Sequence, residues 1–219
     1  MRVFILGAGG HCKMVLDALR SQAEKACGFF QPKDHVCLDR APMRSEIMGV
    51  AIQEESDENI ARLIEQGYEG FVAVGENRLR QKLLRRIKDL GAPIATIISS
   101  HAIVSNWAKV GSGSVVMPGA ILGADVEVGE GCIINTASSV DHDGYVGNFA
   151  HLCPGTRLAG KVKIGEGAFL GTGCSVIPER TIGNWTLLAA GAVVITDIPD
   201  SARWAGCPAK PMKTTKQNA

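Results

Sequence analysis

At position 142 a histidine stands between two acids, in the run Val140-Asp141-His142-Asp143-Gly144-Tyr145. An imidazole beside a carboxylate is poised as a general base, because the acid fixes the tautomer and stabilises the imidazolium that forms. The same residues also suit a solvated, charged corner. His151 follows nine residues later, and Gly160 stands eighteen residues after His142. A free backbone N–H at such a glycine could hold the oxyanion of an acyl-transfer intermediate. The competing use of two histidines and Cys153 is a metal. Zinc needs three or four convergent ligands, which this spacing does not offer, so no metal is expected.

Near the start, Gly7-Ala8-Gly9-Gly10 reads as a tight turn between a strand and a helix. There backbone N–H groups and the helix dipole make a ready anion site. The dinucleotide fingerprint G-x-G-x-x-G fails, because its third glycine would fall at Cys12, so NAD or FAD is not expected. A phosphate-bearing ligand fits the turn, and a turn kept only for packing is the alternative. His11 and Lys13 add donors or cation to that site, or else lie on a solvated helix face.

The elements that position these residues are legible from periodicity. From Ile98 through Val104, Val110 and on to Val194, seventeen successive sixth positions are aliphatic. The residue two before each rung is small, with Arg180 the one break. A period of six matches neither a helix nor one long strand, but it suits a short strand, a corner and another short strand. Three hexads then close one triangular coil of a β-solenoid, aliphatic rungs stack along its axis, and His142 falls off the core directly over Gly160. Each buried rung contributes ~1.5 to 3 kcal/mol. Glycines that follow rungs, such as Gly111, Gly129, Gly147 and Gly165, are expected at corners of unusual φ and ψ.

Ahead of the solenoid the pattern is α/β. Strands are expected at Arg2 to Leu6, Ala26 to Phe30, Gly70 to Val74 and Pro93 to Ile98, with helices at His11 to Arg20, Asp57 to Gln66 and about Asn77 to Leu90. This predicts a small, doubly wound, Rossmann-like domain over 1–96, and a solenoid domain with a C-terminal tail over 97–219. The net charge of +1 gives no basic field for nucleic acid. No run of eighteen apolar residues and no signal-peptide pattern is present, so a cytoplasmic protein without a membrane partner is expected. The seven cysteines form no C-x-x-C pair and read as reduced core residues.

Taken together, GAGGHCK near the start, VGENRLR at Val74 to Arg80, VDHD at Val140 to Asp143, the run from Val146 to Gly160 and GCPAK at Gly206 to Lys210 resemble one family. It is the bacterial sialic-acid O-acetyltransferase and nucleotide-aminosugar N-acetyltransferase group, whose catalytic domains are left-handed parallel β-helices. The resemblance implies a homotrimer that binds acetyl-coenzyme A between adjacent solenoids and receives a nucleotide-linked amino sugar from the α/β domain. It further implies His142 as general base, Asp143 as the acid that orients it, Gly160 as oxyanion donor and His151 as a second histidine near the acetyl group. Gly7, Gly9, Gly10 and His11 match the sugar-nucleotide side, while Gly206, Pro208, Ala209 and Lys210 match the segment at the coenzyme's far end. Where the family commonly carries acids after the second strand, Gln31-Pro32-Lys33 stand here. Direct acyl transfer to an amine is the expected reaction. Acetylation of a sugar hydroxyl and a non-catalytic, sugar-nucleotide-binding trimeric scaffold are the alternatives.

Overall fold

The computed structural model describes residues 1–212. The tail expected at the end of the solenoid domain lies, from 213 to 219, outside the described residues. Strand β1 (Val3–Leu6) is wholly buried and leads through Gly7 into helix α1 (Gly10–Cys27). Strand β2 (His35–Asp39), the hairpin β3 (Glu46–Ile47) and β4 (Val50–Glu54), helix α2 (Asp57–Glu65), strand β5 (Glu69–Val72) and helix α3 (Asn77–Asp89) follow. The sheet order is β3-β4-β2-β1-β5, parallel except for the hairpin. The chain order reverses beside β1, so the carboxyl ends of β1, β2 and β5 open onto one crevice.

Two expectations need correction here, the first being Pro93 to Ile98, where only Ile94 bridges to Gly70 of the α/β sheet and Ile97–Ile98 already belongs to the solenoid. Ala26 to Phe30 is not a strand: α1 continues through the good helix formers around Glu24 and Lys25, and stops where Gly28 takes φ 84° and donates to the Glu24 carbonyl. The second strand therefore begins at His35, after a 3₁₀ turn over Pro32–Asp34. Gln31-Pro32-Lys33 thus precede β2, and the residue at its carboxyl end is an acid, Asp39. The β3–β4 hairpin was not expected. Its tight turn puts both Met48 (φ 51°) and Gly49 (φ 78°) in the left-handed region, which matches the twist of the flanking strands.

Beyond residue 96 the chain winds as a parallel β-helix of seventeen two-residue strands, from Ile97–Ile98 to Val193–Val194. Each strand up to Ser175–Val176 pairs in parallel with the one eighteen residues on, as Val140 does with Leu158 and Val146 with Ile164. Face one runs from Ile97–Ile98 through His151–Leu152 to Leu187–Leu188, face two from Ile103–Val104 to Val193–Val194, and face three from Lys109–Val110 to Thr181–Ile182. Every rung from Val116 to Val194 is buried. The polar members of the small-residue series satisfy themselves at corner carbonyls: the Ser114 hydroxyl donates to Gly129 (2.7 Å) and the Cys174 thiol to Ala189 (3.1 Å).

The corners correct a third expectation. Gly111, Gly129, Gly147 and Gly165 do not have positive φ. They are glycine because coils touch there: a Cβ on Gly147 would lie 2.7 Å from the Glu166 nitrogen, and one on Gly165 2.5 Å from the Asn184 nitrogen. The left-handed residue is instead the third after each rung, from Gly113 to Gly191, with φ between 54° and 72°. Asp143, Phe149 and Trp185 hold that position as well as glycines do.

Helix α1 lies on the first coils of face one, where Ile97, Val115 and Ile133 join its apolar core. Helix α3 sits at the corner from face three to face one, through Gln81 to Glu166 (2.9 Å) and a Lys88–Glu130 ion pair. The two kinds of glycine give a test. Gly147→Ala forces backbone against backbone and is expected to destabilise by ~3 kcal/mol, the upper end of overpacking costs. Gly173→Ala, at φ 71° with open space around it, is expected to cost ~1 to 2 kcal/mol. Denaturant unfolding of both variants checks the order.

Candidate active site

His142 lies on the corner from face two to face three. The solenoid shapes this corner in three ways. The Asp141 carboxylate accepts the His142 backbone N–H (2.8 Å), Asp143 takes the left-handed position at φ 56°, and its carboxylate lies 2.8 Å from His142 Nδ1. The carboxylate can only accept, so Nδ1 carries the proton and Nε2 keeps a free lone pair. The hydrogen bond from the Asp143 side, reinforced by Asp141, holds the imidazole above the ordinary histidine value.

The ring rests on Gly160, one coil along. A Cβ there would fall 2.5 Å from His142 Nε2, so only glycine admits the ring. The Gly160 carbonyl accepts from the Glu179 N–H (3.0 Å), whereas no acceptor meets the Gly160 N–H among the described residues. At the corner from face three to face one, the corresponding donors are capped from the next coil, Glu130 by Asn148, Glu166 by Asn184 and Asn184 by Asp200. The residue one coil beyond Gly160 is Pro178, which has no side-chain acceptor. A base with its lone pair free and an uncapped N–H are thereby held side by side.

His151 is placed differently. It projects from face one, buried, with Nδ1 3.3 Å from the Gly75 carbonyl, Nε2 3.2 Å from the Asn135 amide and its ring edge-on to Phe169. His11 lies beside it, at 6.5 Å between ring centroids, with its Nε2 buried and without a partner among the described residues. Burial first, and the Arg80 charge second, lower His151 to about 3 and His11 to about 4, so both are neutral at physiological pH. The corner between faces two and three is the edge of the prism opposite face one. His142 and His151 of one chain therefore have the apolar core between them and do not share a site within that chain. Cys153 is buried too, and burial pushes its thiol up to about 12, far from a thiolate.

The glycine turn is built as expected, with contacts that sequence reasoning missed. Gly7 takes φ 97° and donates to Leu38. Asp39 accepts the Ala8 N–H (3.1 Å) and the Ala41 N–H (3.1 Å), and Arg44 donates to the Ala8 carbonyl (2.6 Å). These residues, with Gly9, Met43 and Ile52, line a cavity of about 340 Å³. Helix α1 starts at Gly10 without a side-chain cap, which leaves N–H groups at that end. Lys13 is exposed on α1, and Cys12 packs on Cys37 with sulfurs 3.6 Å apart. At the other end of the molecule Gly206, Pro208 and Ala209 belong to the turn after Arg203–Ala205, and Lys210 begins the short strand Lys210–Pro211 that pairs back on it. Ala209 closes the end of the core by donating to Val193 (2.7 Å), while Lys210 is exposed.

This is the fold of the hexapeptide-repeat acyltransferases, joined to a Rossmann-like α/β unit. Residues 2–87 match the PglD N-terminal domain family. A mutant of perosamine N-acetyltransferase from Caulobacter crescentus, in complex with CoA and GDP-perosamine, is 41% identical, with a TM-score of 0.87 and 97% of each chain covered. The acetyltransferase domain of PglB from Neisseria gonorrhoeae, in complex with acetyl coenzyme A, is 34% identical, with a TM-score of 0.86 over 96% of this chain and 98% of that one. WeeI from Acinetobacter baumannii shares the fold at 21% identity, with a TM-score of 0.84, over 97% of this chain and 100% of that one. The chain belongs to the nucleotide-aminosugar acetyltransferase family, and its solenoid is the family's left-handed β-helix.

The His142–Asp143 contact is directly testable. Asp143→Asn removes the charge that holds the imidazolium, so the His142 titration is expected to move to lower pH, toward the ordinary histidine value. Titration of the His142 ring by NMR checks the direction, and an unmoved midpoint would mean that Asp143 does not set it.

Proposed function

We propose that the chain transfers the acetyl group of acetyl-coenzyme A to the amine of a nucleotide-linked amino sugar, with His142 as general base. The observation that carries this reading is the His142–Asp143 pair lying over the uncapped Gly160 N–H. His142 Nε2 takes a proton from the amine as its nitrogen attacks the thioester carbon, and Asp143 holds the imidazolium so formed. The Gly160 N–H receives the oxyanion of the tetrahedral intermediate. His142 then returns the proton to the departing thiolate, so the products are the N-acetyl sugar and coenzyme A. No acyl-enzyme and no metal take part, and Lys210 supplies a cation for the coenzyme's phosphates.

The nucleotide half binds over the Gly7 to Gly10 turn, with Asp39 on the ribose or base and Arg44 as a donor beside it. GDP is the nucleotide this reading favours. The relatives at 40 and 41% identity are described with GDP-perosamine, and the crevice offers both an acceptor and a guanidinium. Transfer to nitrogen rather than to oxygen rests on the same relatives, which are N-acetyltransferases.

The site is completed by a second copy of the chain. His142 stands on the edge opposite the α/β unit of its own chain, so a sugar held by one copy meets the base of another. Ile103 (65% exposed), Ile121 (42%) and the neighbouring corner residue Trp107 (74%) supply an apolar surface for that contact, and a homotrimer closes it.

Thiol release from acetyl-coenzyme A, measured across GDP-, UDP- and dTDP-linked 4-amino sugars and their hydroxyl analogues, tests the reading. The GDP-linked amine is expected to turn over fastest and the hydroxyl analogues not at all; release with none of the amines would contradict it. His142→Ala is expected to lower kcat by ~10² to 10⁴-fold with an unchanged thermal melt, because the ring lies outside the core.

A further inference from the structure

Among the described residues Arg80 is the most deeply buried cation, at 1% exposure, and no carboxylate touches it. All five of its N–H groups are nonetheless used. Nε donates to Gly131 (2.7 Å), Nη1 to Val74 and Gly75 (3.1 Å each), and Nη2 to Phe149 (2.7 Å) and the Asn77 side chain (2.9 Å). Four of these acceptors are backbone carbonyls. Two belong to successive coils of the solenoid, and two to the turn between β5 and α3. Asn77 extends the link one coil further, with its amide donating to Gly167 (3.0 Å). A single planar fork therefore fixes that turn against the stacked coils, a task that the three donors of a lysine on one nitrogen cannot perform.

The turn so fixed is the one that orients His151. Gly75 presents its carbonyl to both Arg80 Nη1 and His151 Nδ1. A carbonyl accepts only, so His151 carries its proton on Nδ1 and turns Nε2, as an acceptor, to the Asn135 amide. Asn135 cannot flip to offer its oxygen instead, because that oxygen already accepts the Thr136 N–H (2.8 Å). His11, on α1, lies beside His151 within reach of the same positive charge.

We propose that Arg80 is a positioning residue for acyl transfer: by clamping the Val74–Gly75 turn to two coils it sets the tautomer and orientation of His151 on the wall that meets the bound sugar. This rests on the N-acetyltransferase reading only for the consequence in turnover; the effect on His151 stands without it. Arg80 remains a cation at neutral pH although burial pulls it to about 10, so its charge also disfavours protonation of His151 and His11. A plain docking role would be shared by the Lys88–Glu130 pair at the same junction, which touches neither histidine.

The test compares Arg80→Lys with Lys88→Ala in the full chain. Three readouts are needed: the thermal melt, the nitrogen resonances of the His151 imidazole, and kcat and KM with acetyl-coenzyme A and the amino-sugar nucleotide. Arg80→Lys is expected to shift the His151 resonances and to lower kcat ~10 to 10²-fold, with KM for acetyl-coenzyme A changed less than about twofold. Lys88→Ala is expected to lower the melt slightly and to leave both other readouts alone. If Arg80→Lys does not fold, Asn77→Ala, which removes one acceptor of the fork, is expected to give the same resonance shift with a smaller loss of kcat. Unmoved His151 resonances in a folded variant overturn the proposal. A resonance shift with normal kcat removes the catalytic consequence, and an inactive wild type would instead indict the proposed function.

Discussion

The eighteen-residue register of the solenoid is the constraint from which the rest follows. Each two-residue strand bonds to the strand one coil before and one coil after, so a position in sequence becomes a height and an edge in space. That register lays His142 over Gly160, puts the caps of Asn148 and Asn184 one coil beyond the donors they serve, and leaves Pro178 where no cap can form. An insertion of one residue between 142 and 160 would break the candidate site without changing any residue in it. The rungs supply the stabilisation that makes such a register rigid. Side chains on the exposed corners, His142 and Asp143 among them, are then free of packing duties.

The placement of the α/β unit is set by polar contacts rather than by apolar area alone. Helix α1 shares a core with the first coils of face one, but α3 is seated through Arg80, Asn77 and Gln81 on carbonyls and an acid at stacked corners. Carbonyls at a solenoid corner recur at fixed spacing, so a planar guanidinium can bridge two coils at once. This brings the segments that follow β1 and β5 onto face one, where His11 and Gly75 meet His151. It also leaves His142 on the far edge, with the apolar core between it and His151 of the same chain.

How much of this was legible in the sequence depends on whether a feature repeats. The rungs, the coil and the His142–Gly160 stack follow from a period of six that needs no knowledge of the fold. The left-handed corner positions were not legible, because the solenoid imposes that conformation on Asp143, Phe149, Lys161 and Trp185 alike, and residue type carries no signal of it. The glycines that do stand out, such as Gly147, mark close contact between coils. In the α/β unit the misplaced second strand hid Asp39: a short apolar run with a glycine in it, Ala26 to Phe30, looked like a strand but was a helix end. Arg80 was hidden differently. In a helix reading Arg78, Arg80, Lys82, Arg85 and Arg86 it looks like one more solvated cation, and only the solenoid's carbonyls reveal that it is buried.

The central claim is that base and sugar site come from different copies of the chain. Subunit mixing measures it most directly, with His142→Ala supplying a dead base and Asp39→Ala a dead nucleotide site. Each variant alone is expected to be inactive, whereas random assembly of the two in equal amounts is expected to restore about a quarter of wild-type turnover, the fraction of interfaces that pair two intact halves. Mixed assemblies as inactive as the separate variants would contradict the account, because they would show that His142 serves the nucleotide site of its own chain.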